Sequence, residues 1–270
     1  MNIDGTDVSS YGVIVQNRRS SKAAANIKQA YKGAPGAWRN IRLGRNAPDP
    51  LLWTCSGFIT ATSHANLLAQ VDQLKWRTRP NKELTLQWSD QSTIEWLGYR
   101  QSLDIQGFVP DWIQTACRFT LIIFCPDPRA RNAAPSQSST SGTAPLTRTI
   151  DVGSAPHPIT ITITGNSSQQ LVNPVVNYRD YNNATVSSFS ISDTLDETET
   201  YTINTETHVV EKTTGSVVTN GGGNFSGTMF DCDPDDADPS TWPIGTVSVQ
   251  LTADSGDADN FQVNYRRRWW

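Results

Sequence analysis

The chain has no run of about 18 apolar residues, so the sequence predicts no membrane-spanning helix. Its opening, Met1-Asn2-Ile3-Asp4-Gly5, lacks a basic region followed by an apolar stretch, and no secretory signal is expected. Assembly in a cytoplasm fits both absences. Cysteine is sparse. Cys55, Cys117, Cys125 and Cys232 form no CxxC pair, which argues against structural zinc, and they read as buried reduced thiols. No GxSxG elbow occurs, and His64, His157 and His208 lie far apart with no neighbouring nucleophile. Gly221-Gly222-Gly223 lacks the Lys and the strand-to-helix context of a phosphate loop. The sequence therefore predicts no enzyme activity, no catalytic residues, no cofactor and no metal. The acidic run Asp231, Asp233, Asp235, Asp236 and Asp238 is the best cation candidate, but Pro234 and Pro239 interrupt it and no Glu closes the loop. A solvated acidic loop is the expected state.

What is present is β-patterned. Leu84, Leu86 and Trp88 alternate, as do Ile94, Trp96 and Gly98, with Ser89-Asp90-Gln91-Ser92 between them as a hairpin turn. Tyr11–Val15 and Trp53–Thr60 read as strands. Gln114–Phe124 is another, with Phe119, Leu121 and Ile123 on one face and Ile122 and Phe124 on the other. One helix is predicted from His64 to about Trp76, capped by Ser63, with Leu67, Leu68, Val71 and Leu74 on its inner face. Beyond residue 147 only strands appear: Arg148–Val152, Ile159–Ile163, Leu171–Tyr178, then pairs at Phe189 and Ile191, Tyr201 and Ile203, and Val209 and Val210. Val247–Leu251 and Phe261–Tyr265 follow. Each strand offers one apolar face, as a two-sheet sandwich requires.

Composition divides the chain. The small polar stretch 133–146 reads as a linker between a domain at 1–132 and a domain at 147–270. Residues 1–132 hold 16 Lys and Arg against 10 Asp and Glu, while residues 133–270 hold 6 against 16. Residues 16–48 contain Arg18, Arg19, Lys22, Lys28, Lys32, Arg39, Arg42 and Arg45 and no acidic residue. They read as a basic arm ordered by a partner, or lining a channel through which DNA passes without specific binding. The ending Arg266-Arg267-Arg268-Trp269-Trp270 is a second candidate contact, in which Arg267, Trp269 and Trp270 are singled out. If the last strand ran on through it, Arg267 and Trp269 would share the face of Tyr265. Trp112 also sits in a loop, where an aromatic tends to mean an interface.

Several motifs together carry a resemblance. The opening Met1-Asn2-Ile3-Asp4-Gly5-Thr6-Asp7-Val8-Ser9-Ser10-Tyr11-Gly12-Val13 is similar to the start of siphophage distal tail proteins. Pro35-Gly36, the helix ending in Leu74-Lys75, and the closing run Phe119-Thr120-Leu121-Ile122-Ile123-Phe124-Cys125-Pro126-Asp127-Pro128 follow in that family's order, as does Gly245 before an alternating strand. The resemblance implies a mainly β protein: an N-terminal β-sandwich-like domain with one α-helix, plus a C-terminal galectin-like or carbohydrate-module-like sandwich. It implies a structural virion protein, a hexameric ring at the distal end of the tail tube. The implied partners are further copies of itself, the tail tube protein, the tail-tip hub and tape-measure proteins, and a receptor-binding protein or host glycan. A second reading is a carbohydrate-binding tail adhesin, which predicts exposed aromatics on one sheet of the C-terminal sandwich, with Trp242 a candidate.

Overall fold

A computed structural model of the chain describes residues 1–22, 50–107, 114–238, 240 and 245–269. They form two compact units, Met1–Ala133 and Ala134–Trp270. The first contains β1 (Asn2–Ile3), β2 (Thr6–Asp7), β3 (Val13–Lys22), β4 (Leu51–Thr60), α1 (His64–Arg77), β5 (Glu83–Trp88), β6 (Gln91–Gln106), β7 (Ala116–Cys125) and β8 (Ala130–Asn132). Seven strands pair antiparallel in the order β2-β1-β5-β6-β7-β4-β3, and β8 adds to the early part of β6.

This sheet folds over on itself. The long β6 pairs β5 through its first half and β7 through its second, with an irregularity between Arg100 and Ser102 where it changes partner. That is how a strand turns the corner between two layers. Trp53 on β4 then meets Trp88 on β5 with ring centroids 5.1 Å apart. In a flat sheet those strands, three positions apart in the order, would be separated by roughly 14 Å. Trp96 meets Trp53 edge-on, also at 5.1 Å. Cys55, Ile59, Leu84, Leu86, Phe119, Leu121 and Ile123 fill the same interior. The alternation read from sequence at 84–88 and 119–123 is this inward face; Ile122 and Phe124 are half-buried on the other.

Helix α1 starts where Ser63 Oγ accepts a hydrogen bond from the Asn66 amide at 3.2 Å. It ends with Lys75 and Arg77 in the last turn, where cations favour the helix dipole. Leu67, Val71 and Leu74 are buried beneath it.

One expectation at the front of the chain needs correcting. Residues 16–22 are not arm but strand: β3 pairs β4 from Val13↔Ile59 to Lys22↔Leu51. The sequence hides this because an edge strand is held by its backbone ladder and keeps polar side chains outward. Lys28, Lys32, Arg39, Arg42 and Arg45 lie outside the described residues, as does Trp112.

The second unit contains β9 (Ser136–Thr143), β10 (Leu146–Val152), β11 (Ile159–Gly165), β12 (Leu171–Val172), β13 (Val175–Arg179), β14 (Thr185–Ile191) and β15 (Thr194–Leu195). It continues with β16 (Glu199–Asn204), β17 (Val209–Thr214), β18 (Val217–Asn220), β19 (Phe225–Gly227), β20 (Gly245–Thr252) and β21 (Asp257–Tyr265). One sheet runs β10-β20-β13-β14-β19 and the other β18-β17-β16-β11-β21-β9. Ile159, Ile161, Ile163, Tyr201, Ile203, Phe261 and Val263 of the second sheet pack with Val176, Tyr178, Phe189, Val247, Val249 and Leu251 of the first in one core. This is a two-sheet sandwich.

The predicted linker at 133–146 is a second correction. Ser136–Thr143 is an edge strand, paired with β21 from Tyr265↔Ser136 to Asp257↔Thr143. Its burial alternates with period 2, but the half-buried positions are Ser136, Ser138, Thr140 and Gly142. No apolar residue marks the period, so composition alone reads as linker.

A polar hub ties the sandwich near its β15–β17 end. Asp193 accepts hydrogen bonds from Lys212 Nζ at 2.8 Å, Tyr201 OH at 2.8 Å, Asn224 Nδ2 at 3.2 Å and the Thr194 amide at 2.9 Å. Glu199 closes a second ion pair to Lys212 at 2.7 Å. The side chains of Asp193 and Lys212 are about one-fifth exposed, so removing one leaves the other poorly compensated. Asp193→Ala is expected to destabilise the protein by about 2 kcal/mol, and Trp53→Ala by about 3 kcal/mol through the cavity it leaves. Urea unfolding of the full chain measures both.

Candidate interface surfaces

The sequence-predicted contact residues divide between strand β3, the chain end and the undescribed residues. Arg18 lies on β3 opposite Cys55, on the inward parity. Its guanidinium makes a two-toothed pair with Asp90 in the β5–β6 turn, at 2.6 and 2.5 Å, and stands 4.8 Å from the centre of the Trp88 ring. The Arg18 hydrogen bonds hold the Asp90 carboxyl below the usual range. Arg18 thus clamps one layer of the folded-over sheet to the other. Arg19 is the neighbour that faces outward and is exposed. Lys22 closes the strand.

The chain end folds back on its own sandwich. Strand β21 stops at Tyr265, so the predicted continuation through the tail does not occur. Arg267 stacks over Trp269 at 5.5 Å and approaches Asp151 at 3.9 Å. Arg268 pairs with Glu206 at 2.6 Å, and its carbonyl accepts from the Ala155 amide at 3.2 Å. The bridge at Ala155, and Gly153 beneath the Arg268 carbonyl, turn the chain away from the strand path. Trp270 lies outside the described residues.

Among the described residues, exposed aromatics do not gather on a sheet face. The outward rows of the six-stranded sheet are Thr160, Thr162 and Thr164 beside Asn204, Thr202 and Thr200, with Asn264, Gln262 and Asn260 on the other side. The five-stranded sheet shows Thr147 and Thr149, Gln250 and Ser248, Asn177 and Arg179. These rows contain no aromatic side chain, and Trp242 lies outside the described residues. The aromatic that stands out is Trp76 on α1, 63 % exposed, which the sequence alone did not distinguish from core tryptophans. Its position off the 67–71–74 stripe was the available signal.

The acidic run sits in a loop with a short helical turn at Pro234–Asp236, where Asp233 accepts from the Asp235 amide at 2.9 Å. Burial, then the carboxylates of Asp233, Asp180 and Asp235, hold Asp236 above the usual range, while the Tyr178 hydroxyl pulls it down. Among the described residues no three His, Cys, Asp or Glu side chains gather as a metal site. All four cysteines are free and buried. His64 Nδ1 stands 3.3 Å from the Gln114 carbonyl at the start of α1.

No family model and no curated protein matches the sequence. Solved structures do. The Dit protein of phage SPP1, a hub adsorption apparatus protein of phages infecting Gram-positive bacteria, superposes with a TM-score of 0.63 over 99 % of this chain and 98 % of its own, at 12 % identity. The chain has the fold of a phage distal tail protein. Structures of the phage P2 baseplate in its activated conformation, with Ca and with Sr, match at TM-scores of 0.43 and 0.44 and 8 % identity. The distal-tail-protein fold spans both units, and the mainly β architecture, with one α-helix among the described residues, is the one the sequence resemblance implied.

His157 gives this fold a pH limit. It is fully buried, 5.8 Å from the Tyr265 ring. Burial, then the charges of Arg268 and Arg267, push its pKa down to about 4. The unfolded chain binds this proton near pH 6.5 and the folded one only near 4. Stability is therefore complete above pH 6.5 and falls as pH drops towards 4, by up to about 3 kcal/mol. Between pH 6.5 and 5, urea midpoints of the wild type are expected to fall more steeply than those of His157→Leu. Parallel slopes would remove His157 as the cause.

Proposed function

We propose that the chain is a structural protein of a tailed-phage virion, forming a ring, hexameric by the family resemblance, at the distal end of the tail tube. The ring joins the tube to the tail tip or baseplate and to host-recognition proteins. The observation that carries this is the two-unit fold shared with SPP1 Dit along essentially the whole of both chains. The charge split supports it: a basic first unit and an acidic second unit suit contacts between neighbouring copies and with the tube and hub. Arg19, Lys22, Lys28, Lys32, Arg39, Arg42 and Arg45 are the candidate contacts of the basic unit. Arg18, Arg267 and Trp269 already have partners within the chain, so an interface through them must replace or extend those contacts.

The role is structural rather than catalytic, and its site is the virion tail tip. The adhesin reading draws no support from the outward rows of the sandwich, whose hydroxyl and amide side chains provide no stacking platform. Light scattering behind a sizing column, on the full-length protein at low and moderate salt, is expected to give a discrete hexamer or a pair of stacked hexamers. A strict monomer at high concentration in both salts would overturn the ring.

A further inference from the structure

The C-terminal end of α1 carries an anomaly that the fold does not explain. Trp76 is 63 % exposed, although indoles are usually among the largest contributors to a core. It is also pre-set: the Arg79 guanidinium lies 5.2 Å from the ring centre. Lys75, on the same turn, is half-exposed and reaches Asp72 at 3.6 Å. Trp and Arg are among the residue types most enriched where binding energy concentrates at interfaces. The stacked guanidinium keeps its planar donors for a carboxylate pair.

The same chain presents a surface of opposite character. At one end of the second unit a cleft of about 520 Å³ is lined by Tyr181, Asp235, Asp238, Pro234, Ser154 and Gly153 among others. Tyr181 is 47 % exposed there, and Asp235 is exposed. The charges of Asp233, Asp180 and Asp235 act on the neighbouring Asp236 carboxyl, a local excess of negative charge that an incoming cation relieves. The first 132 residues carry a net charge of +6 and the remaining 138 one of −10, so a second copy supplies the complementary charge.

We propose that the Trp76–Arg79 knob of one copy docks in the Tyr181–Asp235–Asp238 cleft of a second copy, a head-to-tail contact between subunits. It rests on the ring reading above, since contacts of this heterologous kind are what rings are built from. The indole covers Tyr181, and the guanidinium pairs with the carboxylates.

The test is sedimentation velocity of the full-length protein over a concentration series at low and moderate salt. Its variants are Trp76→Ala, Arg79→Asp, Asp235→Arg and the combined Arg79→Asp/Asp235→Arg. All three side chains are exposed, and circular dichroism checks that each variant folds. Each single change is expected to weaken self-association at least tenfold, and the charge swap to recover most of it. Single variants that assemble like the wild type would overturn this contact while leaving the ring to another interface. A combined variant that stays dissociated would overturn the pairing of Arg79 with Asp235. A wild type that is monomeric throughout would overturn the ring reading, and the contact with it.

Discussion

The N-terminal unit depends on a sheet being bent until its two halves touch, and indole contacts hold it closed. Trp53 reaches from β4 to Trp88 and Trp96 on strands that are distant in the pairing order. Without that closure β3 and β4 would lose the layer against which their inward residues pack. Arg18 shows the same constraint in polar form, spanning from the edge strand to the β5–β6 turn and lying flat on Trp88. A residue that looks from sequence like part of a free basic arm is therefore a clasp. Of the described β3 cations, Arg19 faces outward and is exposed, whereas Arg18 is engaged within the unit.

The C-terminal unit solves the same problem with two separate sheets and a single shared core. The outward rows of its central strands are mostly hydroxyls and amides, with Arg179 among them, and Val186, Val209, Val217 and Val218 are exposed on flanking strands.

Legibility followed apolar alternation. Where side chains marked the inward face, as at Leu84-Leu86-Trp88 or Ile159-Ile161-Ile163, strands and core were readable directly. Where the half-buried positions were Ser, Thr or Gly, as in β9, the strand was invisible, because pairing is a backbone property and composition reports only side chains. The predicted strand at 171–178 is broken by Asn173, which sits at a φ of 49° before Pro174. That pair splits it into β12, which pairs β15, and β13, which joins the five-stranded sheet. Strand β18, all four residues exposed, carried no burial pattern to read. The contact residues were least legible. Charge pointed to Arg18 and Arg267, but charge cannot say that Asp90 and Asp151 already face them, and the exposed Trp76 became visible only once α1 was packed.

Electron-microscopy class averages of the purified full-length protein test the central claim most directly. A heterologous interface that closes gives a ring, whereas one that does not close gives a filament. The account predicts closed rings of uniform subunit number around a central channel. Open filaments, or single particles the size of one chain at every concentration, would contradict it.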